Sequence, residues 1–247
     1  QRRARIMFAF KALVEAHMVL AMIAFFYDWN WREAENYCLR GLELDPHNAD
    51  LRQAYAHLLS NTGRHEKALA EIRLARDLDP LSLRTNALEG QFLLHAGQPD
   101  AAIRQLQKTI DLDSNFWLAH LFLANAFIEK GDYKNSLAEV DQARELSLVH
   151  SQALALRAFV LAKAGKTPEA KAALDELLKL SAARYVPPFN IALAYNGLGE
   201  REKALDFLET AFDQKNLLLV FLKVDPKWNN LRGEPRFAEL MRRMNFE

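Results

Sequence analysis

Small residues recur along this chain with a period of 34 residues, far longer than one helical turn. Five glycines mark the period: Gly63, Gly97, Gly131, Gly165 and Gly199. A small residue stands five positions after each glycine, and another stands seven positions before it. The first set is Ala68, Ala102, Ser136, Ala170 and Ala204, and the second is Ala56, Gly90, Ala124, Ala158 and Ala192. The pattern predicts a row of helical hairpins, with glycine at each turn and close helix packing at the small residues.

A second set of positions predicts where each hairpin closes. Leucine occurs fifteen residues after the first four glycines, and Asp-Pro follows it at Asp45-Pro46 and Asp79-Pro80. Proline disfavours helical geometry in the residue before it, so we expect the second helix of a unit to end there. We expect the leucines to fill the core between neighbouring units. They are Leu78, Leu112, Leu146 and Leu180, with Leu44 one unit earlier.

The period fails at both ends of the chain. In the first unit Trp29 stands where the glycine is expected, two positions before Trp31. We expect these tryptophans to lock the first hairpin by packing rather than to form a binding site. After residue 218 nothing repeats, but Pro235 to about Met244 reads as a helix with one apolar face. We expect this tail to be a cap over the last hydrophobic edge.

These positions resemble those of the tetratricopeptide repeat, a 34-residue helix–turn–helix. The resemblance implies an all-α, right-handed superhelical solenoid of about six hairpins with a C-terminal capping helix. The end of a truncated preceding helix is expected at 1–14, and the cap at 219–247. The six units between them are 15–48, 49–82, 83–116, 117–150, 151–184 and 185–218.

Two segments carry a narrower resemblance, at residues 27–35 and 220–237. Both are similar to the C-terminal repeat regions of bacterial multidomain regulators, which carry a winged-helix DNA-binding domain, a nucleotide cyclase or a Ser/Thr protein kinase. The resemblance implies a module of a larger regulatory protein. We therefore expect this chain to be a fragment whose N-terminal effector domain is missing.

Charge and cysteine content narrow the classes of function. The chain has 32 Lys and Arg against 32 Asp and Glu, so its formal net charge is zero, and we expect no direct nucleic-acid binding. A single cysteine, Cys38, excludes an internal disulfide and is compatible with a reducing compartment, so we expect a cytoplasmic protein. The longest apolar run, 18–27, is too short to span a bilayer. We read it as a buried helix and expect no membrane segment.

No residue pattern here points to catalysis or to a bound metal. The seven histidines show no close metal-ligand spacing. His57 and His95 suit metal binding or pH sensing, but we favour solvated polar groups of a groove. Cys38 is expected in the core, where it acts as a small apolar side chain. The sequence therefore predicts no enzyme activity, no cofactor and no metal.

The inner groove is where such repeats bind their ligands. The resemblance places its lining at positions 2, 5, 9, 12 and 13 of each first helix. Those positions give Gln53, His57, Arg84, Gln91, His95, Leu121, Asn125, Ile128, Gln152, Phe159, Lys163, Phe189, Leu193 and Asn196. Leu121 and Leu156 replace a lysine and an asparagine of the family's chaperone-binding clamp, so we do not expect chaperone-tail binding.

The groove is polar in the second and third units and more apolar in the later ones, which suits an extended peptide or a partner helix. The leading hypothesis is a non-catalytic interaction or sensor module that binds a protein or peptide partner. A groove that only stays solvated is the alternative reading of the same residues. A self-associating scaffold that uses residues 1–14 is a second function, and a small-ligand-binding module is a third. The oligomeric state stays open.

Overall fold

The computed structural model describes residues 2–146 and 150–246, with side chains from residue 12 onward except that of residue 150. The elements in this part of the chain are all helical. The α-helices are Arg2–Ile23 (α1), Trp31–Leu44 (α2), Ala49–Asn61 (α3), His65–Leu78 (α4), Leu83–His95 (α5), Pro99–Leu112 (α6), Trp117–Glu129 (α7), Tyr133–Leu146 (α8), His150–Lys163 (α9), Thr167–Ala183 (α10), Pro188–Gly197 (α11), Arg201–Asp213 (α12) and Pro235–Arg243 (α13). A π-helical turn, Ala24–Asp28, extends α1, and two 3₁₀ helices, Leu217–Phe221 and Pro226–Leu231, precede α13.

Consecutive helices pair into hairpins, from α1 with α2 to α11 with α12, and each hairpin packs on the next. Most of the first helices also contact one another, as α5 does α7 and α9 does α11, and together they line the inner side of the array. The second helices lie behind them. The predicted fold class, an all-α solenoid of helical hairpins with a C-terminal helix, is confirmed.

The predicted turns occur at the five glycines of the 34-residue period. Their φ angles lie between 71° and 87°, in the left-handed region that a side chain disfavours. At the first turn of this kind, the N–H of Gly63 donates to Ser60 O (3.1 Å) and that of Arg64 to Leu59 O (2.8 Å). Trp29 takes the same conformation in the first hairpin, with φ of 52°, although it is not glycine.

Small residues mark the closest helix approach, as the sequence predicts. The residues five positions after each glycine are completely buried, and so are the alanines seven positions before. Where serine replaces alanine, Ser136 Oγ donates to the carbonyl oxygen of Ala124 at 2.9 Å, across the two helices of one hairpin. At Gly90 a Cβ atom would lie 2.7 Å from Leu106 Cδ2, so α5 and α6 touch without a side chain between them.

The prediction that the closing leucines fill the core is wrong for two of them. Leu78 is 41% exposed and Leu112 is 50% exposed. Both stand in the last turn of a second helix, where the hairpin opens. The core side of α4 is instead formed by Ile72 and Ala75, at helical spacing after Ala68, and all three are fully buried.

Two expectations about the N-terminus also need correction. Helix α1 is continuous from Arg2 to Ile23, so residues 2–14 belong to the first helix of the first hairpin rather than ending a separate one. No glycine or proline occurs there to break it. The run 18–27 is only half buried, because one face packs on α2 while Val19 and Ile23 on the other are 51% and 46% exposed. No helix within the described residues has the length and hydropathy needed to cross a membrane.

The two ends of the array are in contact with each other. Trp29 is buried and stacks on Phe212 of α12, with ring centroids 4.7 Å apart. Trp31 stacks on Phe246 at 4.5 Å, and its Nε1 donates to Asn245 O at 3.0 Å. Asn245 Nδ2 in turn donates to Trp29 O at 3.1 Å. The tryptophans therefore pack as expected, and they join the first hairpin to the last rather than only locking their own.

We expect Gly90→Ala to destabilise the chain by roughly 1–2 kcal/mol, because overpacking against Leu106 outweighs the better helix propensity of alanine. Urea unfolding followed by circular dichroism measures the difference. Gly233→Ala is the control, since a Cβ atom there meets nothing within 4 Å. Its effect should stay within about 0.5 kcal/mol. Equal stability of the two variants would contradict the close approach at Gly90.

Candidate functional site

Most of the predicted groove residues line one cavity on the inner wall. The cavity has a volume of about 270 Å³ and lies against α3, α5, α7, α9 and α11. Leucine and phenylalanine make up about half of its lining, and most of the other side chains are polar or charged. The predicted residues that it brings together are His57, Arg84, Gln91, His95, Leu121, Asn125, Gln152, Phe189 and Leu193.

The remaining predicted residues lie elsewhere. Gln53 lines a neighbouring cavity of about 160 Å³, where its Oε1 accepts a hydrogen bond from Thr85 Oγ1 at 2.9 Å. Ile128 and Phe159 are buried in the core. Lys163 Nζ stands 5.3 Å above the centre of the Phe159 ring. The structure does not bring these three into either cavity.

The chain's own C-terminal segment lies across the groove. We call residues 217–231 the groove segment. The ring of Phe221 lies 5.6 Å from that of His57. Trp228 meets Phe189 edge to face at 5.2 Å and is fully buried. The tail is therefore more than a cap over the last hydrophobic edge: α13 packs beside α12, while the 3₁₀ helix Leu217–Phe221 contacts both α12 and the π-helical turn of the first hairpin.

Polar contacts fix the groove segment in register. Asn196 Nδ2 donates to the carbonyl oxygen of Lys227 at 2.7 Å, and its Oδ1 accepts from Asn230 Nδ2 at 2.7 Å. Lys227 Nζ donates to Asn125 Oδ1 at 3.0 Å and pairs with Asp225 Oδ2 at 2.8 Å. Groove asparagines thus bind both the backbone and a side chain of the groove segment.

Sequence reasoning did not find the groove segment. One signal was available, since the apolar run of residues 217–222 and Trp228 exceed what a single capping helix can cover. The run shows that this part of the tail must be buried. It does not show where, because Lys227 and Asn125 lie 102 positions apart in the sequence.

His57 is buried among four phenylalanine rings, not solvated as the sequence suggested. The centroids of Phe25, Phe26, Phe92 and Phe221 lie 5.4–5.6 Å from that of its imidazole. Its Nε2 has no hydrogen-bond partner among the described residues. Burial, reinforced by the nearby His95 and Arg84, lowers the pKa of His57 to about 3. The ring is therefore neutral at pH 7.

His95 is neutral for the same reason. Burial lowers its pKa to about 3, and nearby Asp225, Lys227 and His65 contribute smaller effects of both signs. Its Nδ1 lies 2.9 Å from Ser60 Oγ and its ring 6.2 Å from that of Phe221. Both groove histidines thus contact the groove segment through Phe221.

Other titratable groups play structural parts. His120 lies behind the groove, where the hydrogen bond from its Nδ1 to Glu139 (2.6 Å) raises the pKa of the imidazole. Burial raises the pKa of the Cys38 thiol to about 12, so it is protonated and unreactive in the core. Among the described residues, no three His, Cys, Asp or Glu side chains converge as metal ligands.

Comparison with known proteins identifies the repeat. Family models described as "Tetratricopeptide repeat" match residues 37–70, 88–150 and 151–176. DnaJ homolog subfamily C member 7 of Homo sapiens is 26% identical over 169 residues, which cover 64% of this chain and 34% of that protein. The Mus musculus protein gives the same identity and coverage. The chain spans about a third of the length of these curated relatives.

Solved structures show the same fold at low identity. PilW, a widely conserved type IV pilus biogenesis factor, matches with a TM-score of 0.62 and 19% identity, over 85% of this chain and 98% of that one. The pilF protein of Pseudomonas aeruginosa matches with a TM-score of 0.60 and 16% identity, over 92% and 99% of the two chains.

The buried histidines predict a loss of stability in mild acid. A histidine in the unfolded chain has a pKa of about 6.5. Because the folded values of His57 and His95 are lower, their contribution is complete above pH 6.5 and is lost as the pH falls toward about 3. Each histidine should cost about 1.4 kcal/mol per pH unit in that window. His120 acts in the opposite direction, since its folded pKa is raised.

A His57→Gln variant isolates one of these contributions. Between pH 7.5 and 5.5, the drop in its free energy of unfolding should be about 1.4 kcal/mol smaller than that of the original chain. Urea titrations at both values measure the difference. His47→Gln, the same substitution at an exposed histidine outside both cavities, is the control for the substitution itself. An unchanged pH dependence in His57→Gln would show that His57 is not held neutral by burial.

Proposed function

We propose that the chain is a non-catalytic interaction and sensor module of a larger bacterial regulatory protein. It contains tetratricopeptide repeats, which mediate protein–protein interaction and assembly. A protein partner binds in the groove of the inner wall. One observation carries the proposal, namely that the groove already holds a segment of this chain, residues 217–231, which folds as two short 3₁₀ helices. An effector domain N-terminal to residue 1 completes the regulator, and the six hairpins from α1 to α12 form its partner-binding part.

The contacts of the groove segment define what a partner must supply. Phe221 and Trp228 act as apolar anchors against His57 and Phe189. Between them Asn196 recognises a backbone carbonyl group, which any peptide offers. A groove commonly binds a peptide through a few apolar anchors, with hydrogen bonds to the peptide backbone between them. The partner therefore carries two apolar residues on a short segment of helical turns, and it takes the place of residues 217–231.

The groove segment lowers the apparent affinity for such a partner. It competes from within the same chain, so only molecules whose segment has left the groove bind the partner. Release of the segment exposes the groove and also frees the tail, and this change is the signal passed to the effector domain.

Self-association is the second candidate function, and a specific surface favours it. Helix α1 exposes Val19, Leu20 and Ile23 on the face away from α2, and these side chains are 42–51% exposed. In every later unit the first helix packs against the second helix of the preceding unit, as α3 does against α2. A second copy of the chain that covers this face would bury the exposed side chains.

A labelled peptide with the sequence of residues 216–231 tests the groove. It should bind the full-length double variant Phe221→Ala/Trp228→Ala at least tenfold more tightly than the original chain, because the weakened segment no longer competes. Adding Asn196→Ala should reduce that binding, since one hydrogen bond to the backbone is lost. Lys171→Ala, on the exposed side of α10, is the matched control. Fluorescence anisotropy gives the affinities, and equal binding to all variants would contradict the proposal.

Size-exclusion chromatography with light scattering separates the two functions. The self-association hypothesis expects a mass that rises with concentration and that Leu20→Glu reduces to one chain, since a charge would be buried in the contact. Leu81→Glu, at a leucine that is 76% exposed, should have no effect. A single-chain mass at every concentration would exclude self-association.

A further inference from the structure

The groove segment covers the groove without filling it. The space left between them is the cavity of about 270 Å³. Helices α3, α5, α7, α9 and α11 form the floor of the cavity, and Leu218, Phe221 and Pro226 of the groove segment form its roof. His57 and Arg84 line both this cavity and the one of about 160 Å³ beside it, so the two chambers meet at these residues.

The cavity wall is apolar over most of its area. Leu88, Leu118, Leu121, Leu156 and Leu193 supply aliphatic side chains from four different helices. Phe122 and Phe189 add aromatic surface. At roughly 30 Å³ for each water-sized group, the space holds on the order of nine non-hydrogen atoms. This volume suits one small organic molecule with an apolar body.

Two polar side chains that line the cavity, His57 and Gln91, have atoms without hydrogen-bond partners among the described residues. His57 is only 9% exposed, and its Nε2 has no hydrogen-bond partner within the described chain. Gln91 Oε1 also has no hydrogen-bond partner within the described chain. The oxygen and nitrogen of a glutamine amide exchange places by a rotation of the side chain, so Gln91 can also present a donor. A neutral imidazole likewise donates from one nitrogen. Leaving such groups unpaired costs about 1–3 kcal/mol each, which a bound ligand recovers.

The charged side chains that line the larger cavity do not cancel, because one positive charge is in excess. Asp225 and Lys227 pair with each other at 2.8 Å, and His57 and His95 are neutral. Arg84 is exposed at the junction of the two chambers, and no ion pair found among the described residues involves it. Asp50 lines only the smaller chamber.

We propose that the larger cavity is a binding site for a small monocarboxylic acid with an apolar body of about eight carbons. Arg84 binds the carboxylate at the solvent-exposed junction, and His57 and Gln91 donate hydrogen bonds to it. The apolar body lies between the leucine floor and the groove segment. This site goes beyond the partner binding proposed above, because the ligand needs the groove segment in place.

Such a ligand strengthens the docked state of the groove segment. It contacts Leu218 and Phe221 only while they cover the cavity, so it binds that state more tightly than the open one. By linkage, the acid and the protein partner weaken each other's binding. The module then reports the concentration of the acid as a change in partner affinity.

Isothermal titration calorimetry of the full chain with octanoate tests the site. We expect saturable binding of one octanoate per chain, with butyrate at least tenfold weaker because it leaves most of the apolar wall uncovered. Octylammonium should not bind, since its charge repels that of Arg84. Arg84→Gln should weaken octanoate at least tenfold, and Gln91→Trp should abolish binding because the indole fills the cavity.

Arg104→Gln is the matched control, since Arg104 is also exposed but lies on α6, away from both cavities. Its octanoate affinity should equal that of the original chain. Circular dichroism and the unfolding midpoint verify that each variant is folded, and Arg84→Met, which also removes the positive charge, replaces Arg84→Gln if that variant is not. Non-saturable uptake of octanoate, equal binding of octylammonium, or an unchanged affinity in the Arg84 variant would overturn the proposal. Each result is independent of partner binding, because no peptide is present.

Discussion

Within each hairpin the two helices meet at residues too small to hold them apart. Ala68, Ala102 and their equivalents are completely buried, and at Gly90 even a methyl group does not fit. This close approach recurs in the later units, and it lets the first helices line one inner side of the array. The groove, the cavities and the place of the groove segment all depend on that repeated contact.

The hairpins were predictable from the sequence because their contacts are local. A turn glycine and the two small residues around it lie within twelve positions, so one period contains all the information that a unit needs. Predictions that required knowledge of the open end of a hairpin failed. Leu78 looks like a core residue by its spacing, but the last turn of α4 extends beyond the helix that would cover it.

The candidate site was predictable only in part, for the same physical reason. Resemblance to the repeat family places side chains on the inner wall, and most of them do line one cavity. The environment of these side chains depends on residues far away in sequence. His57 was expected to be solvated, yet Phe221 of the groove segment, with Phe25, Phe26 and Phe92, excludes water from it. No local pattern records such a contact.

The contact between Trp29 and Phe212 has a consequence for synthesis of the chain. A repeat array normally folds unit by unit, since each unit needs only its neighbours. Here the first turn is held by Phe212 and by Asn245, which is 216 positions away from Trp29. During translation the first hairpin therefore leaves the ribosome without the partners of its tryptophans. Its aromatic surface stays exposed to chaperones and to other nascent chains until Asn245 has been added.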